Sequence, residues 1–161
     1  MRKGKFFLNI LLGVIICFSF VSCGPVGWLI ELPYTIKEKK YYSNPSNFVE
    51  VSAICESFGT FTHYPDQYYL NVKDMDYERT DECKFVSTSF DFDVASTELL
   101  KKAGIEEVLT EGTAVTFMSA PRYFGDSYWM PIVALEIDGE VWLDFDTGYK
   151  NLMSTYGVDV S

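Results

Sequence analysis

A mainly β domain with one helix, an α+β fold, is what this sequence predicts, and three observations predict it. Three stretches between residues 48 and 92 alternate apolar and polar side chains with the period of a half-buried strand. Between Asp93 and Leu109 the period lengthens to that of a helix. Two more strand-like stretches follow, and Asp138-Gly139 turns the chain back as a hairpin.

Each element follows from its residues. Strand one is expected over residues 48–56, with Val49, Val51, Ala53 and Cys55 on one face. A loop with Gly59, His63, Pro65 and Asp66 fills 57–67. Strand two is expected over 68–75, with Tyr68, Leu70 and Val72 on one face. An acidic loop over 74–82 leads to strand three, 83–92, with Val86, Thr88, Phe90 and Phe92 on one face. Asp93 is the N-cap expected for the helix, and Gly104 its stop. Leu99, Leu100, Ala103 and Val108 form the expected apolar stripe, with a further turn at 105–109. Strand four is read over 113–120, strand five over 129–137 and strand six over 140–145. Residues 121–128 form an aromatic loop, and 147–161 a short closing helix with Leu152, Met153 and Tyr156.

Three strands, a helix, two strands and a returning strand is the element order of an OB-like barrel of five to six strands. A small antiparallel sheet with one packed helix is the alternative. The domain is placed at 47–161, after a signal peptide at 1–22 and a tether at 23–46 broken by Pro25, Gly27, Pro33 and Pro45.

Composition narrows the function classes. The chain has 161 residues, 17% of them aromatic, with 13 Lys+Arg against 23 Asp+Glu, a net charge of −10. Wholesale disorder is excluded by the aromatic load. Nucleic acid is not an expected partner, because phosphates repel so acidic a chain. A polytopic membrane protein is excluded as well, since only the first thirty residues are apolar enough to span.

Arg2, Lys3 and Lys5 precede an apolar run over 6–21, then Ser22, Cys23, Gly24 and Pro25. This is the layout of an export signal. The segment Phe20-Val21-Ser22-Cys23 resembles the lipobox of bacterial lipoproteins, with Phe20 in place of the usual Leu. That resemblance implies cleavage before Cys23, a diacylglycerol on its thiol and an extracytoplasmic body anchored to the bacterial cell membrane. An uncleaved anchor helix over 6–30 and plain secretion are the other readings. Cleavage removes three bases and no acid, which takes the net charge from −10 to −13. Anionic lipid would repel such a body, so lipid rather than charge must hold it at the surface. The run 116–126, with Met130-Pro131-Ile132-Val133-Ala134, Gly139-Glu140 and Tyr41-Tyr42-Ser43, also resembles small bacterial surface proteins. That resemblance supports the fold expectation and supplies no catalytic residues.

Cys55 and Cys83 would remain as a pair, and a disulfide would stabilise the fold by roughly 3 kcal/mol. The expected meander argues against it. Cys55 near Tyr68 and Cys83 near Met75 would stand roughly 23 Å apart, against the Cα separation of about 7 Å that a disulfide allows. Two unbridged thiols are expected.

No catalytic constellation, cofactor motif or metal site is expected. His63 is the single histidine and has no Cys or acid at ligand spacing. No G-x-S-x-G elbow and no phosphate-binding glycine loop occur. Asp74-Met75-Asp76-Tyr77-Glu78 resembles the start of a calcium loop, but Arg79 and Phe85 stand where that loop needs Gly and Glu. Asp91/Asp93 and Asp144/Asp146 are carboxylate pairs at strand spacing, which an envelope hydrolase would use. Edge-protecting charge is the simpler reading. The binding candidates lie in the loops that OB folds use, with Tyr64 and Tyr68 facing Arg122, Tyr123, Tyr128 and Trp129. The expected function is therefore a binding domain for a glycan, peptide or protein.

Overall fold

The structure, a computed structural model, describes residues 35–78, 85, 87–121 and 130–160. The chain divides into two compact units, Met1–Lys37 and Glu38–Ser161. The signal, Cys23 and the start of the tether lie outside the described residues. Residues 35–42 are helical (α1). The second unit carries β1 (Val49–Thr60), β2 (Tyr68–Asp76), β3 (Ser89–Asp91), α2 (Val94–Ala103), β4 (Ala114–Ser119), β5 (Ile132–Ile137), β6 (Glu140–Leu143) and α3 (Phe145–Thr155). Its six strands form one antiparallel sheet, ordered β3-β2-β1-β4-β5-β6. The fold is thus mixed α+β and mainly β. No ladder closes the sheet among the described residues, and one parallel bridge joins Asp91 to Pro131 just ahead of β5.

The inner face holds the main core. Val51, Ala53 and Cys55 of β1, Leu70 and Val72 of β2, Phe117 of β4 and Leu135 of β5 meet Leu100 and Ile105 there. Alternation of apolar and polar residues puts these side chains on one side of the pleat. A second apolar cluster joins Tyr42, Phe48, Ala120, Val133, Tyr149, Leu152 and Met153. It seats α3 on the opposite face. Val133 is the extra residue where the β4–β5 register shifts between Met118/Ala134 and Ser119/Ile132. Gly148 makes the close seat possible, since a Cβ there would run into the Val133 carbonyl oxygen.

Several elements differ from the sequence expectation. Strand one continues to Thr60, because 57–60 pair with Tyr68–Asn71 and the Tyr69 side chain lies over Gly59, its nearest ring carbon 3.6 Å from where a Cβ would be. Aromatic cover replaces the side chain that glycine lacks. Cys55 consequently faces Val72, not Tyr68. Its buried thiol is free, and Cys83 lies outside the described residues. Strand three is described only as Ser89–Asp91. Strand six ends at Leu143, because Asp144 accepts the Thr147 amide at 2.9 Å and starts α3 there. Tyr42, inside the expected tether, is fully buried, and Lys39 Nζ donates to the Tyr156 carbonyl at 3.0 Å.

Asp93 and Gly104 do cap α2 as expected. Its buried face is not the expected stripe, however. Ser96, Thr97 and Leu100 are buried, while Leu99 and Val108 are exposed. Polar anchoring explains the rotation. Ser96 Oγ donates to Asp93 at 2.6 Å, Asn151 donates to Ser96 Oγ at 3.1 Å, and the Tyr68 amide donates to Thr97 Oγ1 at 3.0 Å. The hydroxyls of Ser96 and Thr97 each have a partner, so this polar face is tolerated inside.

Candidate functional site

The strand register defines the surface that remains open. Residues that alternate with the inner core point outward, and four lie in a row across neighbouring strands. Asp76 of β2 pairs with Ser52 of β1, Ser52 with Thr116 of β4, and Thr116 with Glu136 of β5. Ser52 and Thr116 join their hydroxyls at 3.4 Å. Glu50 lies two residues from Ser52 on β1, opposite Met118. Asp74 has positive φ (54°) and falls where the β1–β2 register shifts. The irregularity turns Asp74 and Asp76 onto the same side.

Three hollows mark this surface. One of about 410 Å³ is lined by Ser52, Ile54, Asp74, Asp76, Thr116 and Glu136, with Asp138 at its end. A second, of about 220 Å³, has a floor of half-buried Met118, Ala134 and Phe145, with the exposed Val141, Glu50 and Glu136 around it. A third, of about 510 Å³, runs past Glu50, Ser52, Asp76 and Glu78. The side chains of Glu50, Asp74, Asp76 and Glu136 form no hydrogen bond or ion pair among the described residues. Lys73 is the only base that these five strands supply.

The expected site residues are distributed differently. Tyr64 is exposed in the loop after β1. Tyr68 is fully buried, its hydroxyl donating to Glu106 at 2.6 Å. Burial, then the Glu106 bond, pushes the phenol well above its ordinary range. Its ring is a core group packed on Phe58, with centroids 4.6 Å apart, and not the surface anchor expected. Arg122, Tyr123, Tyr128 and Trp129 lie outside the described residues.

The two carboxylate pairs do not share strand faces as expected. Asp93 is an almost fully buried helix cap, and Asp144 caps α3 with Asp146 in that helix's first turn. The Thr147 amide holds Asp144 below the ordinary carboxylate range. Asp91 stands apart. It is half-buried, and desolvation pushes its carboxyl up to about 7. Cys55 is buried too, which raises its thiol pKa, and Glu111 raises it further. Such a thiol is not primed as a nucleophile. Among the described residues no three His, Cys, Asp or Glu side chains are placed to hold a metal ion.

Sequence reasoning passed over Glu50 and Glu136, and read Asp76 as part of an acidic loop. For Glu50 the signal was present, since it alternates with the inward Val51, Ala53 and Cys55 of strand one, whereas Asp76 lies past the expected end of strand two and reaches this face only through the register shift. The chain matches no protein-family model, no curated protein and no solved structure.

Proposed function

We propose that this chain is a lipid-anchored extracytoplasmic protein whose domain, an OB-like barrel, binds a glycan, peptide or protein partner. Arg2, Lys3 and Lys5, the apolar run and Cys23 support the anchor. Support for the barrel comes from the order β3-β2-β1-β4-β5, with α2 between β3 and β4. A sheet of that order closes when β3 meets β5, and the Asp91–Pro131 bridge lies at that seam. The observation that carries the binding reading is the outer face of β2, β1, β4 and β5, left open among the described residues, with its three adjoining hollows. A concave surface with polar groups and a small apolar floor is the ordinary build of a recognition site.

Two measurements test the reading. Intact mass of the chain from membranes of its own host is expected to begin at Cys23 and to include a diacylglycerol, both lost in Cys23→Ala. A full-length mass without lipid would refute the anchor. The full chain, presented to glycan and peptide arrays, is expected to bind a defined subset of features. Silence across both arrays would refute the binding role.

A further inference from the structure

Resting on that binding reading, we propose that the open outer face receives an extended protein segment rich in lysine or arginine. The apolar hollow supplies the first argument. Half-buried Met118, Ala134 and Phe145 form its floor, and the exposed Val141, Glu50 and Glu136 stand around it. Apolar floor under carboxylates suits a side chain with a methylene stem and a cationic head. An aminosugar polymer brings the charge without the stem.

Spacing supplies the second argument. Asp76 and Glu136 are three strand spacings apart, about 14 Å. One cation cannot neutralise both. Successive same-side residues of an extended peptide recur about every 7 Å, so two or three cationic side chains would cover the row. Charge complementarity is the third argument. The carboxylates of this face have no partner among the described residues, and the chain as a whole carries −10. A second copy of the chain would be repelled, whereas a basic segment is drawn in and orientated.

The probe is a fluorescent peptide alternating lysine and valine, titrated into the full chain in neutral detergent at low salt. A peptide alternating glutamate and valine serves as control. Two exposed valines make the decisive pair, because Val141→Lys and Val94→Lys change net charge equally, on β6 and on α2. Val141→Lys is expected to weaken the lysine peptide at least about tenfold, and Val94→Lys less than about twofold. Should Val141→Lys lower the unfolding temperature, Glu50→Gln with Glu136→Gln takes its place, against Glu98→Gln with Glu107→Gln. Equal weakening by both members of a pair would mean diffuse attraction and overturn the proposal. So would equal binding of the glutamate peptide. Binding of a glucosamine hexamer in place of the lysine peptide would overturn the partner class and leave the binding reading standing. Silence of both probes and of the arrays would remove both.

Discussion

The outer face of the sheet has two halves, built on the same strands and unlike in every other respect. Toward α3 the outward positions are apolar, and Phe48, Ala120 and Val133 disappear under Tyr42, Tyr149, Leu152 and Met153. Away from α3 they become polar. Going outward, Phe48 gives way to Glu50 and Ser52, Ala120 to Thr116, and Val133 to Glu136. The pleat is the same on both sides of that line. Residue choice at every second position decides which half becomes core and which half meets a partner.

Breaking the covered half has the largest expected effect. Tyr42 is fully buried, with ring centroids 6.0 Å from Phe48 and 6.1 Å from Tyr156. Tyr42→Ala should destabilise by about 3–5 kcal/mol in urea unfolding. A cost comparable with that of Glu50→Ala, expected within about 0.5 kcal/mol, would erase the distinction between the halves. Gly148→Ala comes next, at about 2–3 kcal/mol. Its added methyl meets a backbone carbonyl, which cannot rotate away as a side chain could. An unchanged unfolding midpoint would show that α3 rides higher above β5 than the contact implies.

Much of this contrast was legible in the sequence, and its limits have physical causes. Strand period disclosed β1, β2, β4 and β5, and the Asp138-Gly139 hairpin, with Asp138 at φ 52° and Gly139 at 79°, lies where it was read. Both caps of α2 were legible because capping is local chemistry. The buried face of α2 was not, since Ser96 and Thr97 are polar until Asp93, Asn151 and the Tyr68 amide satisfy them. Tyr68 was read as a surface anchor for a related reason. An aromatic with a hydroxyl suits either place, and its bond to Glu106 spans 38 residues of chain. The acidic row was hidden because its members come from three strands, β1, β2 and β5. Only register brings them together.

Asp91 is the acid placed on the wrong side of the division. It lies close enough to Tyr42 for its charge, like that of Glu38, to raise the phenol beyond the effect of burial. Its own carboxyl is raised from 3.8 to about 7 by burial. The folded state therefore holds a proton that the unfolded chain releases above pH 4. The contribution of Asp91 to stability is full below about pH 4, falls as pH rises toward 7, and is flat beyond. Asp91→Asn should remove that slope and stabilise the protein at pH 8 by on the order of 2 kcal/mol, allowing for the exposed part of the group. Unfolding midpoints measured from pH 4 to 8 would show it. A wild-type curve that rises with pH over this range would contradict the placement.

The smallest effect sharpens the comparison most. Glu50, Asp74, Asp76 and Glu136 share one face without a partner among the described residues, so they repel one another and stabilise nothing in the free protein. Neutralising two of them, Glu50→Gln with Glu136→Gln, should raise stability by about 0.2–0.5 kcal/mol at low salt. The gain should vanish in 1 M salt, where the screening length drops to about 3 Å. Structural acids behave in the opposite way, since removal of a cap such as Asp144 costs about 1 kcal/mol at any salt. A loss of stability in the double variant would make the open half part of the fold's own support. A small, salt-sensitive gain would mean that the carboxylates are kept at a cost to the free protein, as expected of a surface whose stabilising contacts come from another molecule.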